Sequence, residues 1–126
     1  MAGEMVGVLL VSAAHDRAHA AMALAAGAAA LGRRVVVFGT GAGCRALLED
    51  WSGLDDVGRD AMLRARGVAG FGTLREAALE LGVRLIACDS GLKGERLAPA
   101  ALAGGVEVAG MATFLEAVGP GQLATF

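Results

Sequence analysis

The chain is short of cysteine, of proline and of charge of one sign, and each shortage excludes something. It has two cysteines, Cys44 and Cys88, in 126 residues. That is too few for a disulfide framework, and they do not form a CxxC zinc pair. In a reducing compartment both are expected as free thiols. Eleven Lys and Arg face thirteen Asp and Glu, for a formal net charge of -2. The basic residues are scattered, so there is no electrostatic footprint for nucleic acid or for an anionic membrane surface. The most apolar run, Ala18 to Leu31, is mostly Ala and Gly with His19 inside it. Such a run is too short and too weakly apolar to cross a bilayer as a helix. Met1-Ala2-Gly3-Glu4-Met5 lacks the positive start of a signal peptide. The expectation is a cytoplasmic protein with no membrane span. Paired carboxylates, HExxH, GxSxG and metal-spaced clusters are missing too, so no metal and no cofactor is expected.

What is present points to a folded domain. Hydrophobic residues make up 56% of the chain and charged residues 19%, with 20 Gly and 2 Pro. Disorder needs the opposite balance, and the length suits one domain, residues 1–126, with a real core. Val6 to Ser12 is a near-continuous apolar run, as in a strand buried on both faces. Asp16 is placed to cap a helix running to Leu31, where Gly32 supplies a residue free to adopt positive φ. Val35 to Phe38 reads as a second strand, residues 39 to 43 as a loop, and Cys44 to Asp50 as a short helix. Asp55 could cap a helical turn through Leu63. Thr73 and Glu76 have the spacing of a capping box for a helix ending near Leu81-Gly82. A third strand ends at Cys88, and a helix follows that begins around Gly91 to Lys93 and is broken before Pro99. Val106 to Ala109 is a short strand, Met111 to Val118 a helix, and Leu123 to Phe126 an edge strand. This alternation predicts a three-layer α/β/α domain with a mainly parallel sheet of about five strands.

In an open parallel sheet, ligands sit outside the carboxyl ends of the strands. Three such ends carry usable groups: Ser12, His15 and Asp16 at the first; Gly39, Thr40, Gly41, Gly43 and Cys44 at the second; Cys88, Asp89 and Ser90 at the third. Cys88 is the leading candidate for chemistry, because a strand end opening into a helix lowers a thiol's pKa. Asp89 opposes this by placing a carboxylate beside the sulfur, and a packed, inert thiol is the plainer alternative. Residues 39 to 43 invite a phosphate-loop reading. Their G-x-G-x-G spacing follows the second strand and lacks Gly-Lys-Ser/Thr, so a tight turn is the simpler account. Cys44 is a second, lower-ranked thiol. His15 could orient or protonate a substrate; the plainer expectation is a solvated loop histidine beside a capping Asp16. Asp55, Asp56, Arg59, Asp60, Arg64 and Arg66 read as a solvated charged face.

The second half carries a resemblance. Phe71-Gly72-Thr73-Leu74, then Leu81-Gly82-Val83-Arg84-Leu85-Ile86-Ala87-Cys88-Asp89-Ser90, then Gly105-Val106-Glu107-Val108-Ala109-Gly110-Met111-Ala112-Thr113-Phe114-Leu115 resemble the DsrE/DsrF-like family. The likeness is to its peroxiredoxin-like branch, with a GV-x-I-x-A-C strand and a GVE-x-G-G-x-A-T-[YF]-L segment. Arg34 to Thr40 partly echoes that branch's second strand. The resemblance implies a small α/β protein that assembles as a homotrimer or hexamer. It further implies a strand-end cysteine, here Cys88, that holds a persulfide and passes it to a sulfur-carrier protein. The branch's Met-rich segment after the cysteine is absent: Cys88-Asp89-Ser90-Gly91-Leu92-Lys93-Gly94 has no Met. Three functions follow as expectations. The first is a sulfur carrier or sulfurtransferase. The second is a non-catalytic module binding a small molecule or anion at the glycine-rich rim. The third is a thiol peroxidase-like redox protein in which Cys44, if close, resolves Cys88.

Overall fold

A computed structural model describes residues 4–126. Five strands form one sheet: β1 (Val6–Leu10), β2 (Val35–Gly39), β3 (Arg84–Cys88), β4 (Val106–Ala109) and β5 (Gln122–Thr125), in the order β4-β3-β2-β1-β5. Every neighbouring pair is parallel. The central strand β2 is buried along its whole length, which is why Val35 to Phe38 is uninterrupted apolar sequence rather than alternating. The edge strands β4 and β5 are largely exposed.

Handedness distributes the helices. Chain progress from β1 to β2 to β3 steps one way across the sheet. Right-handed crossovers then place α1 (His15–Ala30) and α3 (Phe71–Glu80) on the same face, where they pack on each other. The connection from β4 to β5 steps back, so α5 (Met111–Val118) covers the other face, against β1 and β2. There Phe114 stacks on Phe38 with ring centroids 4.9 Å apart. Gly7 is where α5 sits down on the sheet, since a Cβ there would collide with the Val118 side chain. The architecture is α/β/α, as the alternation predicts.

Several element starts differ from the sequence reading, most clearly where a distant residue holds the helix end. Helix α1 begins at His15 with no side-chain cap. Asp16 lies in its first turn and accepts from the Arg17 amide. The entry is held instead by the Ser12 hydroxyl, which accepts from the Ala14 amide, and by the His15 amide, which donates to the Asp55 carbonyl. Asp55 caps no helix; α2 runs from Arg59 to Ala65. The expected helix at Cys44 to Asp50 is a 3-10 helix over Gly41–Leu47. Arg75, mostly buried on α3, donates to the Ala46 and Leu48 carbonyls at its end, at 3.0 and 2.6 Å. The Thr73–Glu76 box does not open α3, which starts two residues earlier at Phe71. The Asp60 carboxylate accepts from the Phe71 amide at 2.7 Å and so caps α3 from another element. After Cys88 the chain turns directly into α4 (Asp89–Gly94), with no intervening loop.

Candidate thiol site at the carboxyl rim

Cys88 is the last residue of β3 and the residue immediately before α4. It points to the α5 face, in line with Ile86, which pairs in register with Phe38. Only 4% of its surface is exposed. Its Sγ lies 3.2 Å from the Ser90 hydroxyl. Burial pushes the Cys88 thiol up, but hydrogen bonding led by the Ser90 and Thr40 hydroxyls, with the Gly91 amide, outweighs it. The net effect is a pKa below the ordinary thiol value. The first turn of α4 therefore supplies the donors that a thiolate needs. Asp89 does not spoil this arrangement. Its carboxylate is on the exposed side of the turn and accepts from the Ser90 amide at 2.7 Å.

The second strand end joins this site. The Cys44 thiol donates to the Gly39 carbonyl at 3.4 Å and approaches the Cys88 carbonyl at 4.0 Å. Cys44 is fully buried, and burial pushes its thiol up to about 11. The glycines between them are explained by packing. A Cβ at Gly43 would strike the Leu10 carbonyl, and one at Gly39 would come within 2.8 Å of Leu47. Gly41 has φ of 54°, a conformation that costs glycine little. A Cβ at Gly91 would come within 2.7 Å of the Gly41 nitrogen, so the 3-10 helix and α4 meet backbone to backbone.

The first strand end does not join it. The Ser12 hydroxyl is committed to the Ala14 amide, and its own amide leans on the Phe126 carbonyl beside β5. His15 is no loop residue: it is fully buried, against Trp51 and Phe71. Its Nε2 lies 2.8 Å from Asp60 Oδ1. Asp60 thus leaves the expected solvated face and becomes a buried carboxylate, held also by Arg64 at 3.3 Å. Burial works against its charge, but the Phe71 amide, His15 and Arg64 hold its pKa below the usual carboxylate value. No local pattern announces this pair, because its members lie 45 residues apart.

Among the described residues no cluster of three or more His, Cys, Asp or Glu could hold a metal ion. No described helix is long and apolar enough to cross a membrane. A hollow of about 380 Å³ among Met5, Arg33, Arg34, Gly82 and Arg84 lies at the amino ends of the strands, away from Cys88.

The fold and rim define a class: a five-stranded parallel α/β protein with a hydrogen-bonded cysteine where the third strand becomes a helix. No protein-family model and no curated protein matches the chain. Solved structures do. One is a protein of unknown function, MTH1491, from Methanobacterium thermoautotrophicum, with a TM-score of 0.59 and 17% identity, over 98% of this chain and 100% of that one. Another is the ychN protein from E. coli, with a TM-score of 0.63 and 14% identity over the same shares. At these identities the likeness establishes the fold.

Proposed function

We propose that the protein is a DsrE/DsrF-like sulfur carrier that holds a sulfane sulfur as a persulfide on Cys88. The observation that carries this reading is the thiol's setting. Cys88 sits at a parallel strand's carboxyl end, with the Ser90 hydroxyl at 3.2 Å and a pKa below the ordinary thiol value. A persulfide needs a thiolate to accept the sulfur and a covered position that protects it once bound. The buried Cys88 supplies the cover, and the donors of Thr40, Ser90 and Gly91 supply the charge stabilisation. The resemblance of residues 71 to 118 supports the same assignment.

That resemblance also implies a homotrimer or hexamer and a sulfur-carrier protein as partner. Exposed Val108 and Met111 near the rim, with Leu115 one turn along α5, supply apolar surface that such an assembly would cover. Incubating the reduced protein with inorganic polysulfide should add one sulfur atom to Cys88, read by intact mass and peptide mapping. Cys88→Ser should gain none. A reduced, folded Cys88 that gains no sulfur, or equal gain in Cys88→Ser, would sink the assignment.

A further inference from the structure

We propose that Cys44 is a discharging thiol for the Cys88 site, closing a Cys44–Cys88 disulfide and expelling the carried sulfur as sulfide. This inference rests on the persulfide reading. Its own support is the placement of the two side chains. Cys44 Sγ is 4.0 Å from the Cys88 carbonyl oxygen, beneath the same rim. Gly91 stands between them: a Cβ there would lie 3.1 Å from Cys44 Sγ and 3.3 Å from Cys88 Cβ. With only hydrogen on Gly91, both cysteines border one small space. The bridge requires the Cys88 sulfur to leave Ser90, 3.2 Å away, and turn toward that space.

The step balances without an added oxidant. Cys44, as thiolate, attacks the inner sulfur of the Cys88 persulfide. A bond forms between the two cysteine sulfurs, and the bond to the terminal sulfur breaks. The departing sulfur takes the electron pair and the proton that Cys44 gave up, leaving as hydrogen sulfide. The sulfane sulfur is reduced while the two cysteine sulfurs become a disulfide. Thiol–disulfide chemistry of this kind runs at a rate set by the attacking thiolate fraction. Burial keeps Cys44 largely protonated at neutral pH, with its pKa at about 11. Handover to an acceptor therefore has time to occur first, and discharge removes sulfur that finds no acceptor.

Two arms test this. In the first, wild type, Cys44→Ala and Cys44→Ser are loaded with inorganic polysulfide, freed of excess, and followed by intact mass and released sulfide. Wild type should lose the added sulfur, end two hydrogens lighter than the reduced chain, and release one sulfide per chain, faster in alkaline buffer. Both Cys44 variants should keep the sulfur several-fold longer. Equal lifetimes in wild type and variants would overturn the proposal. In the second arm, reduced wild type is treated with diamide, which needs no sulfur loading and no variant. An intramolecular Cys44–Cys88 bridge supports the pairing; its absence, or chain-to-chain Cys88 bridges alone, overturns it. If no protein gains sulfur, the carrier reading falls and the discharge with it, whatever the diamide arm returns.

Discussion

Asp60 gives the most demanding stability prediction. Its carboxylate does two things at one oxygen: it accepts from the Phe71 amide at 2.7 Å and pairs with His15 Nε2 at 2.8 Å. Both partners are fully buried. Asp60→Ala leaves each without a partner, at about 1–3 kcal/mol per stranded buried group. It also removes the cap of α3, an effect that overlaps the Phe71 share rather than adding to it. The expected loss is about 3 kcal/mol, or a fall in melting temperature on the order of 10 °C for a domain of this size. Urea unfolding followed by circular dichroism measures it. The pH dependence carries a sign. Asp60 has a lower pKa folded than unfolded, so its contribution is complete above the ordinary carboxylate range. It fades as the pH falls through the folded value. The gap between wild type and Asp60→Ala should therefore narrow on acidification. Asp60→Asn keeps an oxygen that can accept from Phe71 and should recover part of the loss. A cost below about 0.5 kcal/mol for Asp60→Ala, the range of ordinary surface changes, would refute the reasoning. So would a gap that widens in acid.

Other outcomes follow from the same geometry. In the native protein, a small alkylating reagent at neutral pH should modify Cys88 well before Cys44. Donors lower the first thiol's pKa, whereas burial lifts the second to about 11. Ser90→Ala should slow Cys88 alkylation and move its pH profile to higher pH; an unchanged profile would remove Ser90 from the site. The Arg84–Glu107 pair joins β3 to β4 through two hydrogen bonds of 2.8 and 3.0 Å, but both side chains are over two-fifths exposed. Replacing either by Ala should cost less than about 1 kcal/mol in urea unfolding, in contrast to Asp60.

The sequence by itself determined the element order, the fold class and the place of Cys88 at the end of a strand. Continuous apolar runs such as Val35 to Phe38 belong to strands covered on both faces, and Gly32 and Gly82 mark helix ends through positive φ of 85° and 86°. These signals are local, since they depend on neighbouring residues and backbone sterics alone. Cys88 was legible for the same reason: a strand end running into a turn is a short-range pattern. Sequence neighbours could not show which way Asp89 turns, and the structure puts it on its own helix's amide rather than on the sulfur. Only the tertiary structure decided which strand ends share a site. The order β4-β3-β2-β1-β5 sets Thr40 and Cys44 beside Cys88 and leaves Ser12 tied to the β5 side. The same holds for helix starts. Asp60 caps α3 from eleven residues away and pairs with His15 across 45 residues. A capping box read from Thr73 and Glu76 has no way to register a carboxylate brought in by another helix. Side chains within one turn interact through geometry that the sequence specifies, whereas these partners are brought together only by the tertiary fold.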